Sequence, residues 1–465
     1  MKLSLRVGGG ALIALASAGA LFACATSEGA TGAPAPPAEG GHLDGAVLDA
    51  GAIPDAADAS DGAFTIPDGA VACSTAPCVV ALTGAGSSFC GLLQDGTVAC
   101  WGSNDQGQLG YDSGPGFPPA SPKARRITGL GSVTGVSASD VNACARGQDG
   151  GILCWGAPEL VAAGLLPTDG GHPPDTAVLV PTLETAVPAA ANVAVGSHLA
   201  CATAASGVLS CWGVNDHLEL GRGPTGDPSA PPARVPLGTE SVAFARPGFG
   251  RTFAITKSGR MMSWGASTAE GSFGFLLGRD TSEDPDPSPA MAPEPGQVRA
   301  LATGTNHSCA ISGRLVHCWG ANDDGQLGRG SFGPLFFLPG ATNLAYVIAA
   351  EDEDAGAHAE DIPLDVAVGD GHSCAAMGSG RVYCWGANAA GQLGENVSVA
   401  RSGIPQRITG LAGPVVQLAS GSGAICALLR TGAVQCWGTN YLGELATGAF
   451  DDHAHPHPTS ITFPP

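Results

Sequence analysis

Three regimes of hydrophobic and polar patterning follow one another along the chain. Residues 7–22 form an apolar stretch rich in Gly, Ala and Leu, behind a short basic start at Lys2 and Arg6. Residues 25–72 hold Ala, Gly, Pro, Asp and Glu with almost no large apolar side chain. From residue 79 onward, apolar runs of strand length alternate with Gly-centred turns. Val193-Ala194-Val195-Gly196, Leu301-Ala302-Thr303-Gly304 and Val366-Ala367-Val368-Gly369 are three copies of one such run. A Cys-Ala strand, a Gly turn and a strand ending Cys-Trp-Gly come next. Short apolar runs bounded by Gly predict β-strands. No stretch after residue 30 is long and apolar enough to span a bilayer.

The strand pattern repeats seven times. Trp101, Trp155, Trp212, Trp264, Trp319, Trp385 and Trp437 are all the Trp in the chain, and Gly follows each one. Their spacings are 54, 57, 52, 55, 66 and 52 residues. Cys precedes six of them; Ser263 precedes Trp264. Three residues after the Trp stands Asn104, Asn215, Asn322, Asn388 or Asn440. A Gly-rich turn with Gln-Leu-Gly follows at 107–110, 325–328 and 391–394, with close variants at 217–221 and 443–445. The copy after Trp155 lacks this turn, and the copy after Trp264 has it displaced, ending at Leu277-Gly278. Repetition at this period points to a propeller or a solenoid.

These residues resemble the repeats of the regulator of chromosome condensation family, over residues 79–465. The resemblance implies an all-β fold, a seven-bladed β-propeller of four-stranded blades. It also implies, as the family's best-known activity, nucleotide exchange on a small GTPase.

Cysteine spacing tests the hairpin in each blade. Five pairs are ten apart: Cys90 and Cys100, Cys144 and Cys154, Cys201 and Cys211, Cys374 and Cys384, Cys426 and Cys436. Equal steps inward leave a three-residue loop whose third residue is always Gly, where positive φ is needed. Cys309 and Cys318, nine apart, leave the two-residue loop Gly313-Arg314. Both lengths set the two Cys opposite each other, within disulfide reach. Phe253 and Ser263 take the two places in the remaining blade. Cys73 and Cys78 then pair, giving seven bridges; the competing reading is metal binding by the Cys set. Cys100 and Trp101 are adjacent, so they point to opposite faces of the blade. The Trp face is expected against one neighbouring blade and the disulfide face against the other. Ser460-Ile461-Thr462-Phe463 resembles Arg407-Ile408-Thr409 and is expected to close the ring by joining the strands from Val79 in one shared blade.

Composition narrows the function. Gly (71) and Pro (36) disfavour helix. Net charge is −21, with three Lys, which excludes a basic nucleic-acid footprint. Leu21-Phe22-Ala23-Cys24 closes the apolar stretch and resembles the lipobox of bacterial lipoproteins, implying a signal peptide over 1–23 and lipidation at Cys24. The alternative is an ordinary secretory signal cleaved nearby. Ala25 after the Cys implies the outer membrane. Removing Cys24 from the 15 Cys leaves an even number, as an exported, disulfide-bonded chain requires. Residues 24–72, with eight acids and no Lys or Arg, are expected to be a disordered acidic linker, leaving −15 on the propeller, residues 73–465.

Candidate chemistry is sparse. His307 and His372 stand at a position held elsewhere by Ser88, Asn142, Leu199, Arg251 and Ala424, which points to a turn or packing role. His453, His455 and His457 alternate beside Asp451 and Asp452 and are weak metal candidates, against a solvated loop interrupted by Pro456. The spacing of 66 marks an insertion over residues 331–361. Its first half is apolar (Phe332, Leu335, Phe336, Phe337, Leu338, Tyr346, Ile348); its second half holds six acids. It is the expected site of a blade-specific contact. No P-loop, His-Glu-x-x-His or nucleophile elbow is present, and no cofactor is implied. The readings are an envelope-anchored, monomeric propeller that binds a protein or envelope polymer, including inhibition of an exported partner, and an extracytoplasmic lyase or hydrolase acting on a polysaccharide or antibiotic. Nucleotide exchange stands last, because export and acidity separate the chain from GTPase and chromatin.

Overall fold

Seven antiparallel sheets of four strands each follow one another along the chain. The first runs Val79–Ala85, Ser88–Leu93, Val98–Ser103 and Ala120–Arg126. The others extend from Val133 to Thr182, Ala190 to Arg234, Val242 to Met291, Val298 to Ala341, Pro363 to Arg407 and Val415 to Ser460, and are called blades 2 to 7. The computed structural model describes residues 70–74, 76–110, 120–157, 160, 180–182, 189–224, 229–268, 276–342, 344, 347, 361–394 and 398–465, all within one compact unit, Thr65–Pro465. The expected signal peptide, Cys24 and nearly all of the expected linker lie outside them.

The first strands of successive blades pack side by side around a central axis, and blade 7 meets blade 1. Within each blade the strands pair in chain order as an antiparallel meander. The first-to-second and third-to-fourth connections emerge on one side, here the turn face. The second-to-third hairpins and the links between blades emerge on the other, the hairpin face.

The paired Cys are directly opposed in register. Cys90 faces Cys100, Cys144 faces Cys154, Cys201 faces Cys211, Cys309 faces Cys318, Cys374 faces Cys384 and Cys426 faces Cys436. A disulfide joins each of these six pairs, with Cα separations of 4.0 to 4.1 Å. Cys73 is bonded to Cys78. All fourteen Cys of the propeller are therefore held in bridges, which leaves no thiolate for the metal-binding alternative. Gly96 closes its three-residue loop at φ 80°. The Gly after each Trp has its own cause. Gly102 sits at φ 97°, and a Cβ there would lie 2.0 Å from the Ser87 carbonyl oxygen.

Strand alternation produces one core layer per pair of blades. Trp155 packs on Cys90 and Cys100, Trp212 on Cys144 and Cys154, and Trp437 on Cys374 and Cys384. Trp101 packs on Cys426 and Cys436 across the closure. Blade 4 lacks the bridge, and there Phe253 meets Trp319 edge to face at 5.7 Å. Opposite Phe253, Ser263 accepts from Arg279 Nε (3.1 Å), and Arg279 Nη2 pairs with Asp286 (2.8 Å) in a buried ion pair.

Two expectations are corrected. No blade is shared between the chain ends. The last strand, His455–Ser460, pairs with the third strand of blade 7, and the strands from Val79 complete blade 1 alone. Four contiguous strands per repeat leave no gap for a borrowed one. The tail closes the ring by packing instead, with Phe463 edge-on to Trp101 at 5.6 Å. The apolar half of the expected insertion is also a regular element. Gly333–Ala341 is the fourth strand of blade 5. The extra length lies in the link at 342–362, on the hairpin face, where blades 6 and 7 are joined by 408–414 alone. Most of that link, including five of its six acids, falls outside the described residues.

Candidate binding face and central channel

Each repeat residue has a bonding role. The Trp101 indole N–H donates to the Glu444 carbonyl (2.8 Å), and Trp155, Trp264, Trp319, Trp385 and Trp437 donate to Gln108, Glu219, Leu276, Gln326 and Gln392 at 2.7 to 3.1 Å. Every acceptor lies in the turn of the preceding blade. Trp212 is the exception: its Nε1 has no partner among the described residues, and the copy before it is the one without the turn. The repeated Asn shapes the turn, as Asn322 Oδ1 accepts from Leu327 N–H (3.0 Å) and Asn388 Oδ1 from Leu393 N–H (2.9 Å).

The position of His307 and His372 ties blades together. His307 Nε2 bonds Ser373 Oγ and His372 Nε2 bonds Ser420 Oγ, both at 2.8 Å in the next blade. Arg251 does the same through the Gly304 (2.6 Å) and Thr305 (2.9 Å) carbonyls. Burial holds the His307 and His372 imidazoles far down, to about 3 and about 4, so both are neutral at physiological pH.

The alternating His tract does not converge. His453 is exposed, while His455 Nε2 is bonded to Asp451 (2.6 Å). Asn440 and His455 hold the Asp451 carboxyl down, to about 2. Among the described residues no three His, Cys, Asp or Glu come together as metal ligands.

One role was invisible in the repeat pattern. Arg222, Arg279 and Arg329 follow the Leu-Gly of their turns. Each reaches back to the carbonyl before the Trp of its own blade, at Cys211 (3.2 Å), Ser263 (3.1 Å) and Cys318 (2.5 Å). The signal was a Leu-Gly-Arg triplet in three adjacent copies.

The turn face carries exposed aromatics on rigid turns. Phe249 is 53% exposed, Phe332 48%, Tyr441 70% and Phe450 50%. Arg401 lies over the Phe332 ring (4.9 Å), and His217 sits 6.4 Å from Phe249. Asp140 and Asp370 stand on the same side, at the mouth of the central channel, where they accept from Ser197 Oγ (2.7 Å) and Thr305 Oγ1 (2.9 Å).

The channel has a volume of about 580 Å³ and is lined by the first strands of all seven blades. Its wall is mostly Gly, Ala, Ser and Thr. Arg146, Arg246 and Asp365 are the charged groups deeper in it. Asp365 Oδ2 accepts from Leu418 N–H (2.8 Å), and burial pushes its carboxyl up to about 6.

Known proteins share this pattern. The model of the regulator of chromosome condensation (RCC1) repeat matches residues 379–428, and a second model of the same repeat matches 83–108, 364–392 and 415–444. The chain is 30% identical to the human probable E3 ubiquitin-protein ligase HERC6, over 51% of its own length and 21% of that protein's. It is 26% identical to the ultraviolet-B receptor UVR8 of Arabidopsis thaliana, over 57% of each. The chain thus matches less than two thirds of the length of these relatives. Among solved structures, human WBSCR16 superposes with TM-score 0.65 at 19% identity, over 79% of this chain and 95% of that one. Prp20p from Saccharomyces cerevisiae superposes with TM-score 0.65 at 17% identity, over 85% and 88%. The chain therefore carries regulator of chromosome condensation repeats, and they build a seven-bladed β-propeller.

Proposed function

We propose that this chain is an envelope lipoprotein whose propeller binds another macromolecule through its turn face. The observation that carries the reading is the exposure of Phe332, Tyr441 and Phe450 on turns that Asn322, Asn440 and the Trp101 indole hold, with Phe249 exposed on the same face. Aromatics presented without an ordering cost are the usual anchors of protein interfaces. The relatives support a binding role, since one is a receptor and another a ligase. Inhibition or organisation of an exported partner falls within this reading. Affinity capture from envelope extracts with the full chain tests it. A reproducible partner, lost on combining Phe332→Ala, Tyr441→Ala and Phe450→Ala, is expected. Capture unaffected by the triple variant sinks the assignment of the face.

Anchoring at Cys24 rests on the apolar stretch, the Leu21-Phe22-Ala23-Cys24 pattern and the even count of the remaining Cys. Seven bridges suit an oxidising compartment. Cys24→Ser should abolish acyl labelling and release the protein from membranes; a labelled variant refutes the anchor.

A further inference from the structure

Arg246 is a cation that the fold does not need. It stands on the first strand of blade 4, seven residues before Phe253. Counted back from the equivalent blade position, the other blades have Thr83, Ser137, Ala194, Ala302, Ala367 and Ala419 there. Six blades pack with a small side chain, so a long one is not required by the ring. Thr83 Oγ1 and Ser137 Oγ accept from the next blade's Ala138 and Val195 amides (3.0 and 3.1 Å). Arg246 ties no neighbouring blade in that way. Its side chain is exposed to the channel, its guanidinium lies over the Phe244 ring at 5.0 Å, and Nη1 donates to the adjacent Ala245 carbonyl at 3.1 Å. Stacking fixes the plane of the fork and leaves its other donors toward the lumen.

Arg146 reaches the same space from blade 2. Its register partner is Gly135, and Arg146 Nε lies over that glycine, 3.7 Å from where a Cβ would stand. No hydrogen bond or ion pair holds the Arg146 guanidinium among the described residues. The contrast with Arg222, Arg251, Arg279 and Arg329 is direct, since each of those four donates to a backbone carbonyl from its terminal nitrogens. Desolvation lowers the Arg246 pKa, and the Asp365 charge across the lumen opposes that shift. Asp365 faces the same lumen, but no ion pair joins it to either arginine among the described residues. The channel lining thus carries two cations and three acids, with Asp140 and Asp370 at the turn-face mouth and Asp365 on the wall near the arginines.

We propose that the channel binds the oxyanion of a small molecule, a carboxylate or a phosphate, between Arg246 and Arg146. A planar guanidinium matches such a group with two parallel hydrogen bonds, and about 580 Å³ suits a small ligand. Phe332, Tyr441 and Phe450 of the turn face do not line this channel, so their substitution and that of the arginines test different surfaces.

Calorimetric titration of the full chain with inorganic phosphate and with succinate tests the site. Saturable binding of one probe per chain, with submillimolar Kd at physiological salt, is expected; which probe binds assigns the group. Arg246→Gln should weaken it at least tenfold, Arg146→Gln at least threefold, and Asp365→Asn should tighten it. Arg260→Gln, at an exposed arginine paired with Glu240 on the hairpin face, should leave it unchanged. Binding of neither probe, or equal weakening by Arg260→Gln and Arg246→Gln, overturns the proposal. If Arg246→Gln fails to melt like the parent chain, Arg146→Gln and Asp365→Asn still decide.

Discussion

The Val79 amide donates to the Gly432 carbonyl at 3.0 Å, joining the first strand of the propeller to the last hairpin. The same bond links Val133 to Gly96, Ala190 to Gly150, Val242 to Gly207, Val298 to Gly259 and Val415 to Gly380. The closing seam therefore copies the internal ones. Only between blades 5 and 6 is the amide missing, because that strand starts with Pro363; there Arg299 reaches the Gly313 and Pro363 carbonyls.

Phe463 is the part of the tail that seals the ring. It is buried to 6% exposure against Trp101, Val79 and Phe89. Phe463→Ala should cost about 3 kcal/mol in denaturant unfolding, and deleting residues 458–465 should lower the melting temperature further by also removing strand pairing. An unchanged melting curve for the deletion would show that the ring closes without it.

The seven Trp are not equivalent. Trp319→Phe removes a buried hydrogen bond and strands the Leu276 carbonyl; Trp212→Phe removes no such bond among the described residues. Both lose the same side-chain volume. Trp319→Phe should therefore cost about 1–2 kcal/mol more than Trp212→Phe, read from paired urea titrations. Equal losses would mean that the indole bonds contribute nothing net.

Phe253 and Ser263 stand in the register of a Cys pair. Combining Phe253→Cys and Ser263→Cys should give a new bridge, seen as a two-dalton mass loss on oxidation. Cross-linking a loop of this size contributes about 2–3 kcal/mol, but the change also deletes the ring packed on Trp319 and the Ser263 acceptor of Arg279. The oxidised variant should melt no higher than the parent chain. A clear rise in melting temperature would show that blade 4 lacks a bridge for no packing reason.

His307 and His372 make stability fall in acid. Their folded pKa values, about 3 and about 4, lie below the unfolded value. Below about pH 6.5 the unfolded chain binds protons that the folded one refuses, at about 1.4 kcal/mol per pH unit for each His. Asp365 acts in the opposite sense. Its carboxyl is raised to about 6, so the folded chain holds a proton that the unfolded one has lost between about pH 4 and 6, and stability falls there as pH rises. Asp365→Asn removes that opposing slope and should steepen the loss of stability from about pH 6 to 4. A shallower profile in Asp365→Asn contradicts this assignment.

Local chemistry wrote much of the fold into the chain. Seven Trp-Gly pairs, the Cys spacing of ten or nine, and Gly at each hairpin determined the blade count, the hairpin loops and the register, because each depends on residues within a dozen positions. The alternation of Cys100 and Trp101 likewise determined that a bridge and an indole face different neighbours. What joins distant copies was decided only in three dimensions. The closing seam, the Arg299 clamp and the fourth strand of blade 5 follow from which backbone groups the ring brings together. So does the placing of Arg146 and Arg246. One reaches the lumen over a glycine and the other over a phenylalanine, from blades 2 and 4, and neither stands in a repeated motif. A period reports what the copies share, and a binding site is built from what they do not.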